Sequence, residues 1–132
     1  MNECKILLVD DDVEDHVIMK EAMAEVNAAG YLQFTTNGRQ ALDILSCTQD
    51  NQLPQLIVLD LNMPLINGTE TLSLLKKEER LKHIPVIIFS TSTNPIEKEK
   101  CMNLGAHAYL IKPHSNKQIT EMARMFLEFL NG

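Results

Sequence analysis

Basic residues, metal-ligand spacings, glycine-rich loops and long apolar runs are all scarce in this sequence, and each shortage closes off a class of function. Twelve Lys and Arg stand against 18 Asp and Glu, a net charge of −6. That balance disfavours a sequence-independent nucleic-acid surface and points to proteins or small ions as partners. Cys4, Cys47 and Cys101 are odd in number, far apart and without a Cys-x-x-Cys spacing. They read as reduced structural thiols rather than a zinc site or a disulfide. His16, His83, His107 and His114 include no pair at ligand spacing, so each reads as solvated or locally hydrogen-bonded. The start, Met1 to Lys5, runs straight into a short apolar segment ended by three aspartates, which offers neither a signal peptide nor a membrane span. A cytoplasmic protein is expected. No internal repeat or linker is present, and 45% hydrophobic with 23% charged residues excludes disorder and fibrous or disulfide scaffolds. One domain over residues 1–132 with a single continuous core is the expectation.

What is there is organised around Pro54 to Pro64, Pro-Gln-Leu-Ile-Val-Leu-Asp-Leu-Asn-Met-Pro. Leu56 to Leu59 form an unbroken apolar run, the mark of a strand covered on both faces. The run ends in Asp60. A carboxylate is rarely tolerated inside a core, so Asp60 is expected at the mouth of the sheet, where the strand opens into a loop.

The remaining chain supplies four more such strands. Lys5 to Val9 is the first apolar run, followed at once by Asp10-Asp11-Asp12, with Asp12 placed to cap the next helix. Met19, Ala22, Met23 and Val26 recur at helical spacing, and Gly30 is placed to stop that helix. Tyr31 to Thr35 reads as a second strand, Asn37-Gly38 as a turn, and Ala41, Leu42 and Leu45 as a second helix before a polar loop. Leu72 and Leu75 anchor a third helix after Gly68, ending in the charged run Lys76 to Arg80. Val86 to Phe89 is a fourth strand, ended by the hydroxyl cluster Ser90 to Thr93. Asn94 and Pro95 start a fourth helix that Gly105 closes. Ala108 to Ile111 is a fifth strand, broken by Lys112-Pro113. Ser115 with Gln118 reads as a capping box for a final helix whose core stripe is Ile119, Met122, Ala123, Phe126 and Leu130.

Five strands alternating with five helices through short connections imply an α/β fold, a doubly wound parallel sheet. Placing the first apolar run centrally favours the strand order 2-1-3-4-5, which makes the first and third strands neighbours at the switch point. Asp10, Asp11 and Asp60 then converge, with Ser90 and Lys112 at the same edge. Singly, each has a plain structural reading. Asp11 and Asp12 could cap a helix, Lys112 could be a loop lysine, Ser90 a strand-end hydroxyl and Tyr109 an edge aromatic. Jointly, packed carboxylates repel unless a cation neutralises them, and oxygen ligands without Cys or His favour Mg²⁺. A lysine and a hydroxyl beside them suit a phosphoryl group, and an aspartate there can act as the nucleophile.

These residues resemble the receiver domain of two-component response regulators over essentially the whole chain. The Leu7-Leu8-Val9-Asp10-Asp11 pair, Asp60-Leu61-Asn62-Met63-Pro64, Gly68, Ser90 and Lys112-Pro113 stand in that family's order and spacing. The resemblance implies a flavodoxin-like (βα)5 fold and a bacterial signalling phosphoprotein. It makes Asp60 the phosphoacceptor, charged by a sensor histidine kinase or phosphotransfer protein. It gives Mg²⁺ to Asp11 and Asp60 directly, to the Asn62 backbone carbonyl, and to Asp10 partly through water. Lys112 would contact the phosphoryl group, Ser90 would move toward it, and Tyr109 would be the switch aromatic. Such a protein is a switch rather than a turnover enzyme, with at most slow self-phosphorylation from small donors and self-dephosphorylation. With the final helix ending at Leu130, no output domain is expected. Output is expected to pass to a protein target or a second copy through the fourth helix, fifth strand and final helix, where Met125 and Phe129 lie beside the core stripe. Neither nucleic acid nor membrane is expected as a partner. Two departures stand out: Thr91 where the family usually has Ala or Gly, expected to narrow access, and a somewhat long loop from Cys47 to Gln55. Phe89 to Ser92 is weakly similar to phytochrome-associated response regulators. A haloacid-dehalogenase-like phosphohydrolase using the Asp10 to Asp12 region is the alternative; it lacks that class's later acidic pair and leaves Asp60 unexplained.

Overall fold

The structure, a computed structural model, describes residues 5–61, 63, 67–113 and 115–131. Five parallel strands, β1 (Ile6–Val9), β2 (Leu32–Thr35), β3 (Leu56–Leu59), β4 (Val86–Ser90) and β5 (Ala108–Ile111), lie in the order β2-β1-β3-β4-β5. Helices α1 (Val13–Glu25), α2 (Gly38–Cys47), α3 (Gly68–Lys77), α4 (Pro95–Asn103) and α5 (Asn116–Asn131) connect and follow them. Alternate residues of each strand face opposite sides, so one set of apolar residues meets each helical layer. Ile6, Leu8, Leu56, Val58, Ile87 and Phe89 pack under α1 and α5 with Met23 and Phe126. Leu7, Val9, Ile57, Leu59 and Ile88 pack with Leu45 of α2 and Leu72 and Leu75 of α3. The three central strands are fully buried, as their unbroken apolar runs require.

Capping follows the sequence closely. Asp12, Asn37, Asn67 and Asn94 each accept a backbone N–H from the first turn of the helix that follows, and the Ser115 Oγ accepts from the Gln118 N–H at 3.3 Å. Asn37-Gly38, read as a turn, is thus the start of α2.

The end of α1 differs from the expectation placed on Gly30. The helix stops at Glu25, and Asn27 takes a left-handed backbone (φ 60°). The Ala28 N–H then reaches the Met23 carbonyl at 2.8 Å and the Asn27 N–H the Ala24 carbonyl at 3.0 Å. This is the paired closure that an asparagine can supply as well as a glycine. Gly30 falls in a separate short 3-10 turn before β2.

The long loop after α2 is tied down by Arg80. Its guanidinium meets Asp50 at 2.6 Å and donates to the Leu45 and Thr48 carbonyls. Gly68 is the one glycine that the site itself demands. A Cβ there would fall 2.4 Å from the Asp60 carbonyl oxygen and 2.5 Å from the Leu61 Cα. Its absence lets the start of α3 close onto the Asp60 turn.

Candidate phosphoryl and metal site

Parallel register brings the acidic residues together. Val9 pairs with Leu59 across β1 and β3, so Asp10 and Asp60 leave the sheet side by side, the Asp60 N–H bonding the Val9 carbonyl at 2.9 Å. Ser90 pairs with Ile111 at the ends of β4 and β5. The Lys112 N–H bonds the Ser90 carbonyl at 2.8 Å, which starts the lysine from the same edge.

Asp10 is 1% and Asp60 6% exposed, whereas Asp11 is open to solvent. One carboxylate oxygen from each lies within 4.8 Å of the others, the only such acidic, histidine or cysteine cluster among the described residues. Three hard oxygen donors at this spacing, with one side open, suit a small divalent cation such as Mg²⁺ or Mn²⁺. The Asn62 carbonyl, expected as a further ligand, lies outside the described residues, as do Cys4 and His114.

Lys112 enters this cluster from β5. Its Nζ lies 2.8 Å from Asp10 Oδ2, 2.7 Å from Asp15 Oδ2 and 3.6 Å from Asp60 Oδ2. Burial works against the ammonium, but its hydrogen bonds to Asp10 and Asp15 and the Asp10 and Asp60 charges outweigh it and hold Lys112 above its ordinary range. Burial also pushes the Asp10 carboxyl up, to about 7, against the pull of Lys112 and of the Asp12 N–H, and the charge of Asp60 adds to the rise. A divalent cation beside it would favour the ionised carboxylate and offset the cost of its burial.

The hydroxyl and aromatic residues form a second, linked group. Ser90 is fully buried, and its Oγ accepts the Ser92 N–H at 3.1 Å. The Tyr109 hydroxyl donates to the Ser92 carbonyl at 2.9 Å from a half-buried position on β5. Ser92 therefore joins the two expected switch residues through its own backbone. Thr91 between them is exposed.

Sequence reasoning missed Asp15 here; a carboxylate in a helix's first turn carries no local sign of pairing with a lysine 97 positions away. His16, read as solvated or locally hydrogen-bonded, is locally hydrogen-bonded. Its Nε2 donates to the Asp10 carbonyl at 2.5 Å, and its ring stacks on Phe34 with centroids 4.7 Å apart, which props the turn that carries Asp10.

Known proteins match this architecture throughout. The family model for the response regulator receiver domain matches residues 6–124. The chain is 31% identical over 129 residues, 96% of its length and 83% of the relative's, to a probable methanogenesis regulatory protein, FilR2, of Methanothrix harundinacea. Among solved structures it resembles the phosphorylated cyanobacterial phytochrome response regulator RcpA at a TM-score of 0.85 and 30% identity, covering 96% of this chain and 93% of that one. It also resembles the Mn²⁺-bound form of response regulator Rcp1, TM-score 0.79 and 30% identity, over 95% and 92% of the two chains. The dehalogenase-like alternative finds no support in these matches. Among the described residues no helix is long and apolar enough to cross a membrane. A central β1–β3 switch point with an acidic cluster and a strand-end lysine, matched over nearly the whole chain by a receiver model, has one reading: this protein belongs to the response regulator receiver domain family of two-component signalling.

Proposed function

We propose that Asp60 is the phosphoacceptor, that it takes a phosphoryl group from a sensor histidine kinase or phosphotransfer protein, and that the acquired charge alters the α4, β5 and α5 surface. The observation that carries this reading is the position of Asp60: buried, beside Asp10 and Asp11, with Lys112 at 3.6 Å. An Asp60 oxygen attacks phosphorus, the bond from phosphorus to the donor imidazole nitrogen breaks, and that nitrogen keeps the electron pair. Lys112 neutralises one phosphoryl oxygen as the acyl phosphate forms. Asp11 and Asp60, with Asp10 in part through water and the Asn62 carbonyl, would hold Mg²⁺. A bound cation supplies charge neutralisation at the phosphoryl oxygens. RcpA has been seen phosphorylated and Rcp1 with Mn²⁺, which supports the same chemistry here. The phosphorylated form is the signal, and turnover is limited to slow self-phosphorylation from small donors and self-dephosphorylation.

On the output side, Ser90 moves toward the phosphoryl group and Tyr109 turns as Ser90 moves. The link through Ser92 supports this, since a shift of either residue strains the other's hydrogen bond. Met102, Ile111 and Met125 give the α4, β5 and α5 face exposed apolar side chains for a protein target or a second copy. Phe129, expected on that face, is instead partly covered and sits edge-on to His107 at 4.8 Å. The test is intact mass spectrometry after incubation with acetyl phosphate and Mg²⁺. One phosphoryl group is expected on the wild type and none on Asp60→Asn; label on the variant contradicts the assignment.

A further inference from the structure

The geometry points to Asp15 as a positioning residue that aims the Lys112 ammonium at the phosphoryl site. This rests on the role proposed for Lys112 above and adds to it a residue outside the acidic cluster. An ammonium carries three N–H donors on a stem with four rotatable bonds, and a single partner fixes its direction poorly. Lys112 has two close partners, Asp10 Oδ2 at 2.8 Å and Asp15 Oδ2 at 2.7 Å. Its third neighbour, Asp60 Oδ2 at 3.6 Å, lies beyond a good hydrogen bond. Two legs of the tripod are thus occupied, and the third faces the carboxylate that takes the phosphoryl group. A phosphoryl oxygen carried by Asp60 extends into that gap.

The two close partners are not equivalent. Asp10 belongs to the cluster that suits a cation, and a cation beside it competes with Lys112 for its charge. Asp15 sits on the first turn of α1, outside the cluster and 29% exposed at its side chain. It remains as an anchor when Asp10 is shared. Asp15 also favours the α1 dipole, as any carboxylate in a first helical turn does. That role would cost stability when removed but would leave transfer rates alone.

The test uses the full chain with acetyl phosphate and saturating Mg²⁺, comparing wild type, Asp15→Ala, Asp15→Asn and Lys112→Ala. Phosphorylation rate, Mg²⁺ affinity and thermal midpoint are read for each. Asp15→Ala is expected to slow phosphorylation about 10-fold, a part of the roughly 100-fold that a misplacement of about 1 Å in a catalytic group can cost, with Mg²⁺ affinity within about 2-fold of wild type. Asp15→Asn keeps an oxygen acceptor at the same place and is expected to stay within about 3-fold of the wild-type rate. A wild-type or faster rate in Asp15→Ala overturns the inference, as does an Asp15→Asn rate as low as that of Asp15→Ala. If Lys112→Ala is slow while Asp15→Ala is not, only the Asp15 role fails. If Lys112→Ala matches wild type, the role proposed for Lys112 fails with it.

Discussion

The two edges of the sheet each hold a half-buried lysine, and the chain treats them oppositely. At the amino edge, Lys76 in the last turn of α3 donates to the Lys82 and Ile84 carbonyls, both at 3.0 Å, just before β4 begins. At the carboxyl edge, Lys112 donates to two carboxylates and faces a third. Burial penalises both ammonium groups. Among the described residues no carboxylate offsets it at Lys76, whose pKa falls, whereas the carboxylates around Lys112 reverse it. Lys76 is a clasp between a helix end and a strand start. Lys112 belongs to a cluster of buried and half-buried charges of the kind that suits a cation or a phosphoryl group.

Substitution at the carboxyl edge should produce the larger effects. Asp11→Ala removes a carboxylate from the proposed cation site, and Mg²⁺ affinity measured by calorimetry should fall on the order of 100-fold. Lys112→Ala should leave that affinity within a few-fold yet block the response to phosphorylation, read as loss of phosphorylation-dependent partner or self-association. Unchanged Mg²⁺ binding in Asp11→Ala would remove the acidic pair from the site.

A pH series sharpens the comparison with a smaller effect. Burial pushes the Asp10 carboxyl up from an ordinary 3.8 to about 7, so the folded state holds its proton where the unfolded chain has lost it. The stability this provides is complete below about pH 4 and disappears as pH rises through about 7. In EDTA the thermal midpoint should therefore fall between pH 5 and 8, and Mg²⁺ should flatten the fall by favouring the ionised carboxylate. A midpoint that rises over this range in EDTA would contradict the burial account of Asp10.

Lys76→Met should give the smallest effect. It trades two hydrogen bonds to the Lys82 and Ile84 carbonyls for apolar contact, so about 1 kcal/mol of stability should be lost in urea melts. Phosphorylation by acetyl phosphate should not change. A slowed phosphorylation rate would mean that the two edges are coupled.

How much of this was legible in the sequence also divides by edge and by range. The unbroken runs Ile6 to Val9, Leu56 to Leu59 and Val86 to Phe89 announce buried parallel strands, and a carboxylate closing two of them marks the ligand edge. Placing the first run centrally then sufficed for the strand order. Local caps such as Asp12 and Asn94 were equally readable, because their partners lie two residues away. The helix end at Asn27 was not, since asparagine and glycine compete for the same left-handed position and Gly30 stood close by. Asp15 was hidden for a different reason: its partner arrives from β5 only after the whole sheet has formed. Phe129 looked surplus on the helical stripe because the chain alone does not reveal that His107 stands against it.

Asp60, and neither Asp10 nor Asp11, is the proposed carrier of the phosphoryl group. Phosphorylating the full chain with acetyl phosphate and Mg²⁺, reducing the acyl phosphate with borohydride and mapping the peptides converts the acceptor aspartate to homoserine and reads its position. Homoserine is expected at position 60 alone; homoserine at position 10 or 11, or none in a chain that has gained phosphate, would rule out Asp60 as the acceptor.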